Sequence, residues 1–350
     1  MRSIYLDEWK MATQLDNDIS QDDGYFQHTL PQYYRAVLKK FCKISRSFVH
    51  FNILFLAIFL SELTVFLFLL PLLNHSVIFI LSLSALFLTF FSYLVLLFYF
   101  QARKPEQLFA LKEEFVQSCR RILSTPSGMA EHHLSIAEAL CRLSQYLHQF
   151  EWELYKIPPL FKFSTSFISR FSAYYYWGDV FNIKQLLLNA AVEEHLKQIR
   201  VTPTDLEVHA SLASTYVAFS KLYRDPCQAT DHPRENRFRK LQAAFEEKSN
   251  HYSRLAMEEF KILSHYAAND PWVHEQMAMG YRDLAIPEEE IKEVEILLKL
   301  RPQDKEILFR LGTLYFSQGL NAKGLQIYEE LKRTNFKKAE DLISSYGAGF

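Results

Sequence analysis

Two long apolar runs stand out in the first third of the chain. Residues 51–73 contain Glu62 as their only formal charge, and residues 77–100 contain no charge at all. A helix rises 1.5 Å per residue, so about 20 apolar residues cross the ~30 Å hydrocarbon core of a bilayer. Both runs are long enough, and only the polar residues 74–76 separate them. The pattern therefore predicts a transmembrane helical hairpin with spans 51–73 and 77–100.

Basic residues flank the two runs and predict the orientation of this hairpin. Residues 35–50 contain five lysines and arginines and no acid, whereas residues 101–121 contain five basic and three acidic side chains. The positive-inside rule then places both termini on the cytosolic side. We expect an integral membrane protein of two spans, with an acidic flexible arm over residues 1–34 and a basic-flanked hairpin over residues 35–104.

After the hairpin, apolar residues recur every three or four positions, which is the spacing of one helix face. Pro105 stands where a new helix would begin, because proline is tolerated in the first turn. No stretch shows the sustained alternation of apolar and polar residues that marks a half-buried strand. The pattern predicts an all-α chain, in which the two-helix transmembrane hairpin precedes a helical region over residues 105–202 and a helical-repeat domain over residues 203–350.

An aromatic segment lies within residues 160–177, where Phe163, Phe167, Phe171 and Tyr175 repeat every four positions. Two interpretations are open. The segment is either a helix packed in the core or an interfacial helix that lies on the membrane beside the hairpin. Since a stripe at helical spacing usually faces a core, core packing is the favoured interpretation.

Composition and charge narrow the function classes. The chain has 9 glycines in 350 residues, and none begins a G-x-G-x-x-G or G-x-x-x-x-G-K-[ST] motif, which argues against those two nucleotide-binding loops. The net charge of -1 gives no support to a nucleic-acid partner. The four cysteines form no C-x-x-C motif and are expected to be free thiols. We expect no cofactor, no metal site and no catalytic residue.

Glu62 is the only charge inside the predicted spans, and acids within a membrane are costly. It could serve as the proton or ion site of a small transport assembly. Alternatively, a protonated Glu62 could hydrogen-bond Ser82, Ser84 or Thr89 of the partner helix. The second, structural interpretation is favoured, because a transport path needs more than two helices or an oligomer.

A membrane-anchored enzyme is a further alternative. Its site would have to be dispersed, and Glu193, Glu194 and His195 are the candidates. One histidine beside exposed acids on a helix is more often part of a solvated face than of a site, so this alternative is not favoured.

Residues 305–338 carry the clearest repeat signal. Gly312 and Gly324 leave room for two helices to approach, and Gly319 supplies a turn. Leu311 and Tyr328 are large enough to fill the space between the helices. The stretch resembles the tetratricopeptide repeat (TPR) family, a 34-residue helix–turn–helix. The signature positions are Leu308, Leu311, Gly312, Tyr315, Gly319, Gly324, Tyr328 and Leu331.

A weaker copy begins at Pro203. Leu212 follows this proline after nine residues, as Leu311 follows Pro302. The second helix of this copy would carry Ala256 and Phe260, and the polar stretch 224–235 is then expected to be an inserted loop.

A shortened copy lies between Pro271 and Pro302, with residues 285–287 as its turn. Residues 339–346 would form a capping helix. The resemblance thus extends over about residues 203–346, and three or more such units stack into a solenoid because one alone cannot bury its apolar faces.

The resemblance implies binding of a protein or peptide rather than catalysis. In this family the first helix of each repeat lines a concave groove, which here would place Glu306, Phe309, Arg310, Thr313 and Phe316 toward a partner. Combined with the hairpin, this implies a membrane-anchored, TPR-like scaffold or adaptor that is not an enzyme and whose groove faces the cytosol. Its partners would be a protein or peptide and the lipid bilayer.

The hairpin has a second resemblance. Two hydrophobic lobes with a very short turn and both ends in the cytosol resemble chlamydial inclusion membrane proteins, which are secreted into a host-derived membrane. This resemblance implies an alternative role in engaging host factors. Otherwise a bacterial inner membrane is the expected location.

Overall fold

The computed structural model describes residues 21–69, 77–123, 130–148, 150–152, 154, 165–228, 232–334 and 337–344. These residues form α-helices and one short 3-10 helix (Phe150–Trp152), and they contain no strand, which confirms an all-α fold for this part of the chain. The helices are α1 (Gln21–Leu69), α2 (Val77–Ile122), α3 (Ala130–Tyr146), α4 (Thr165–Val201), α5 (Leu206–Gln228), α6 (Glu235–Tyr266), α7 (Pro271–Asp283), α8 (Pro287–Leu300), α9 (Lys305–Ser317), α10 (Asn321–Arg333) and α11 (Ala339–Ser344).

The chain divides into two compact units, residues 1–187 and residues 188–350. We call them the hairpin unit and the repeat unit. The division falls inside α4, earlier than the boundary at residue 203 that the repeat pattern predicts. Residues of the last turns of α4 pack on α5 through Val192 and Ile199, so they belong with the repeats.

Helices α1 and α2 form an antiparallel hairpin, and each is longer than the predicted span. Helix α1 has 49 residues and α2 has 46, with Pro105 inside α2. The prediction of a new helix at Pro105 is therefore wrong. The apolar run and the charged segment that follows it are one continuous helix, so α2 extends well beyond the run itself.

The charged extensions of α1 and α2 pack with α3 in a small core. Tyr34 is 5% exposed, its ring centroid lies 5.8 Å from that of Phe115, and its hydroxyl donates to the carbonyl of Ala139 at 3.3 Å. Residues 1–20 of the predicted flexible arm lie outside the described residues. Residues 21–34 belong to α1 and are anchored by Leu30 and Tyr34, which corrects the prediction that the arm extends to residue 34.

The apolar runs themselves are not covered by the described part of the chain. Two helical stretches, Thr29–Phe68 and Phe79–Ile122, are long and apolar enough to cross a membrane, and their most apolar windows are 0% and 6% buried. The last residues of span 51–73 and the turn lie outside the described residues. A core helix of a water-soluble protein would instead be mostly buried.

The aromatic segment is helical from Thr165, but its predicted core stripe faces outward. Phe167 is 73% exposed and Tyr175 is 40% exposed, whereas Tyr176 and Ser172 are buried. The core interpretation is therefore wrong for Phe167 and Tyr175, whereas Phe171 is half-buried and Phe163 lies outside the described residues. On the buried face of α4, the Ser172 hydroxyl donates to the carbonyl of Glu151 at 2.5 Å.

The repeat unit is built from helix pairs. Helices α5 and α6, α7 and α8, and α9 and α10 form three pairs, and α11 follows them. One apolar cluster joins α5, α6 and α7, and a second joins α7 through α11. Asp270 and Asp304 accept hydrogen bonds from backbone N–H groups at the starts of α7 and α9, which fixes where those helices begin.

The polar stretch 224–235 is not the long inserted loop that the pattern predicts. Helix α5 continues to Gln228 and α6 starts at Glu235, while residues 229–231 lie outside the described part. The extra length of this pair is mainly helical, because α6 has 32 residues.

Candidate partner-binding surface and polar clusters

Three glycines of the repeat signature perform the roles that the sequence predicts. A Cβ on Gly312 would lie 2.8 Å from Leu342 and 3.0 Å from Ile327, and a Cβ on Gly324 would lie 2.6 Å from the ring of Phe316. Both glycines therefore mark close helix approaches. Gly319 has a φ of +71°, a backbone conformation that glycine adopts without steric cost.

The large signature residues form the core of the third pair, with one exception. Leu308, Leu311, Tyr315 and Leu331 are buried in one cluster. Tyr328 only packs against its edge, and Ile327 beside it occupies the space between α9 and α10 that Tyr328 was predicted to fill.

Phe316 is not available to a partner. Its side chain is 5% exposed and its ring lies over Gly324, where the missing Cβ makes room for it. This corrects the expectation that Phe316 faces the groove.

The two charged groove candidates are engaged within the repeat unit. Arg310 pairs with the buried Glu290 of α8 at 2.7 Å, and Glu306 pairs with Lys338 at 2.8 Å. Arg310 thus joins the second helix pair to the third, and Glu306 joins the third pair to the residues before α11.

Phe309 and Thr313 are the remaining groove candidates, and both are half-buried. Phe309 packs against the apolar cluster of the third pair, and the Thr313 hydroxyl donates to the carbonyl of Phe309 at 3.0 Å. They lie one turn apart on α9 and present an uncharged, partly exposed surface.

Two buried histidines form a repeated arrangement that sequence reasoning missed. In α5, His209 Nδ1 lies 2.6 Å from Glu259 Oε2, and Nε2 lies 3.0 Å from the carbonyl of Pro203. In α7, His274 Nδ1 lies 2.7 Å from Glu293 Oε2, and Nε2 lies 2.9 Å from the carbonyl of Ala268. Each histidine is the fourth residue of the first helix of its pair, and we call each arrangement a histidine clamp.

Because carbonyl and ionised carboxylate oxygens only accept, the protonated form of each histidine, in which both ring nitrogens donate, satisfies both contacts. Burial alone lowers the pKa of His209, but the bonds to the Pro203 carbonyl and to Glu259 outweigh it, so the pKa is raised. For His274, burial is outweighed by the bonds to Glu293 and to the Ala268 carbonyl, and its pKa is raised as well.

The proposed dispersed enzyme site is not assembled. Glu193 is exposed, Glu194 pairs with Lys197 at 2.8 Å, and His195 is fully buried with Nε2 3.2 Å from the Thr215 hydroxyl. Burial lowers the pKa of His195 to about 4. Among the described residues no group of His, Cys, Asp and Glu side chains could hold a metal ion.

Glu62 is hydrogen-bonded across the hairpin. Its Oε1 accepts from the Thr89 hydroxyl at 3.0 Å, and nearer the helix extensions Asn52 Oδ1 accepts from the Tyr93 hydroxyl at the same distance. Thr89 is one of the three partners that the structural interpretation named, so the geometry favours that interpretation.

Comparisons with known proteins identify no family for this chain. No protein-family model matches the chain, and no curated protein matches it. Among solved structures, a thermophilic TPR protein from Thermus thermophilus is 22% identical and covers 63% of this chain and 98% of its own, with a TM-score of 0.29.

Proposed function

We propose that the protein is a membrane-anchored scaffold, in which the hairpin unit is held in a bilayer and the repeat unit binds a protein or peptide. The observation that carries the proposal is the exposure of the apolar runs, with 0% and 6% of their windows buried. Exposing so many apolar side chains to water is unfavourable at roughly 25 cal/mol per Å², so lipid is the environment that suits them. Both termini would then be cytosolic, as the flanking charges indicate.

The repeat unit supports a binding role through its first helices. Corresponding positions of α5, α7 and α9 hold Ser214, Met279 and Thr313, all uncharged and half-buried. If the pairs stack in register, these side chains form one row, with Phe309 beside its end. Because Arg310 and Glu306 are already paired, we propose an uncharged or apolar peptide segment as the partner's contact.

Site-specific photo-crosslinking in the full-length protein tests this binding surface. A photoreactive phenylalanine analogue replaces Thr313 or Met279, and a matched variant carries it at Gln326, an exposed position on α10. The first two positions should give a discrete protein adduct in cells of the source organism, and position 326 should not.

An adduct from position 326 alone, or none from any position, would contradict the proposed groove. Alkaline extraction of the same membranes reports on the anchor separately. A chain released into the supernatant would contradict the membrane part of the proposal, whatever the crosslinking shows.

A further inference from the structure

A row of basic side chains lies on α1 immediately before its apolar run. Lys39, Lys43, Arg46 and His50 are spaced by four, three and four residues, so they share one face of the helix. Together with Ala36, Lys40, Cys42 and Ser47 they line one open depression along the surface of α1. We call these four side chains the basic row.

The hairpin unit leaves most of this charge without an internal partner. The neighbouring Lys40 pairs with Glu114, and Lys104 pairs with Asp179 at 2.6 Å. Lys39 and Lys43 are exposed and take part in no ion pair within the described ranges, while Arg46 donates to the carbonyl of Leu154.

Like charges at this spacing oppose one another. Two lysines four residues apart on a helix repel each other and weaken the helix. No carboxylate of α1 lies between residues 35 and 50. An anion that bridges the basic row would relieve this repulsion.

The continuity of α1 fixes where the row lies relative to the apolar run. His50 directly precedes Phe51, and at 1.5 Å per residue Lys43 lies about 12 Å and Lys39 about 18 Å before it. The headgroup layer extends roughly 5–8 Å beyond the hydrocarbon core, and long lysine side chains reach several ångströms further toward it. Lys39 is then within about one Debye length of the headgroups at physiological ionic strength.

We propose that the basic row binds the phosphate headgroups of anionic lipids in the leaflet that faces the N-terminal half of α1. This inference rests on the proposed membrane anchoring and adds the class of lipid. Phosphate oxygens accept hydrogen bonds from ammonium and guanidinium groups and cancel their charge. The lipid would also hold α1 at a fixed depth, since the row and the apolar run belong to one continuous helix.

Electron spin resonance of spin-labelled lipids tests the proposal on the full-length protein in nanodiscs. Chain-labelled phosphatidylglycerol and phosphatidylcholine are compared for their association with the protein. The natural chain should prefer phosphatidylglycerol severalfold at low salt, and the double variant Lys39→Gln/Lys43→Gln should lose most of that preference. Salt at about 1 M should reduce the preference toward one, because the Debye length falls to about 3 Å.

The matched control removes two exposed lysines from the repeat unit, as Lys261→Gln/Lys337→Gln. It should keep the lipid preference of the natural chain. Two results would overturn the inference while leaving the anchoring intact. One is equal association of both lipids with the natural chain, and the other is a control that loses as much lipid preference as Lys39→Gln/Lys43→Gln. A chain that does not stay in the bilayer after alkaline extraction would overturn both.

Discussion

At the scale of single residues, glycine and alanine serve two distinct purposes in the repeat unit. Gly312 permits close packing, since a Cβ there would meet Leu342 and Ile327. Gly319 permits a turn, and Ala285 occupies the equivalent place between α7 and α8 with a φ of 55°. At Gly312 the size of the side chain is restricted, whereas at Gly319 and Ala285 the backbone conformation is restricted. Substitutions at the two kinds of site should therefore change stability for different reasons.

We predict that Gly312→Leu destabilises the repeat unit by about 2 kcal/mol, because overpacking a tight helix contact costs about 1–3 kcal/mol. Urea unfolding of the full-length protein in detergent, followed by hydrogen exchange of α9 to α11, measures this. The control is Gly178→Ala in α4, where an added Cβ would have no neighbouring atom within 4 Å. The higher helix propensity of alanine alone should increase the free energy of unfolding by up to about 1 kcal/mol. An unchanged midpoint for Gly312→Leu would refute the packing described for α9.

We predict that Ala285→Gly stabilises the repeat unit by about 0.5–1 kcal/mol. The substitution removes the strain of an alanine in a left-handed backbone conformation, and this gain exceeds the extra conformational entropy that a glycine loses on folding. The reverse change at the equivalent place, Gly319→Ala, should destabilise it by a similar amount. The urea midpoints of both variants report the effect. Shifts of the same sign in both would contradict the assigned turns.

The groove residues show what sequence can and cannot predict at this scale. The signature positions were predictable because their spacing reports on packing between two helices. The orientation of Phe316 was not, since it depends on the space that Gly324 leaves on the neighbouring helix. The pairing of Arg310 with Glu290 was also not predictable, because it joins residues of different helix pairs and depends on how those pairs pack.

At the scale of helices, the histidine clamps connect the two helices of a pair and the turn before them. His274 joins α7 to Glu293 of α8, and His209 joins α5 to Glu259 of α6. The third pair replaces this arrangement by an apolar one. Leu308 is the fourth residue of α9, and Ile327 follows it after the same 19 residues that separate His274 from Glu293.

The clamps make the stability of the repeat unit depend on pH. The folded pKa of each clamp histidine lies above the unfolded value of 6.5, so the stabilisation is fully present below pH 6.5 and is lost as pH rises through the folded pKa. The facing groups are Asp205 and Glu259 for His209, and Asp270 and Glu293 for His274. His195 has the opposite sign, and its contribution changes only below pH 6.5.

We predict that the repeat unit becomes less stable between pH 6.5 and pH 8, by at most about 1.4 kcal/mol per pH unit for each histidine. The double variant His274→Leu/Glu293→Ile, which copies the third pair, should fold and show about half this slope. His265→Gln on the exposed side of α6 is the control and should keep the full slope. Urea midpoints that rise with pH in this range would contradict the protonated clamps.

Helix boundaries illustrate the limits of sequence patterns at this scale. The starts of α7 and α9 were predictable from the prolines and the spacing that precede them. The continuity of α2 through Pro105 was not predictable. A proline in the sequence indicates a local loss of helix stability, but it does not reveal the tertiary packing that can outweigh this loss. The outward stripe of α4 was missed for a related reason, since periodicity identifies a face but not which face is covered.

At the scale of the whole molecule, the two units have contrasting surfaces. The hairpin unit exposes long apolar runs, and half-buried polar side chains such as Glu62 and Thr89 hydrogen-bond between its two helices. The repeat unit buries its apolar residues in clusters shared between successive helix pairs. This contrast fits the proposed anchor and the proposed binding domain, and the uneven distribution of charge along the chain made it largely predictable.

Protease protection of the chain in sealed vesicles tests the membrane anchor most directly. The full-length protein with a tag at each end is synthesised in the presence of sealed vesicles. One portion is digested with protease from outside, and a second portion is washed in alkaline carbonate. We predict that both tags are removed and that a fragment spanning about residues 51–100 is protected. Release of the chain by the wash, or protection of either tag, would contradict a hairpin anchor with both termini on one side.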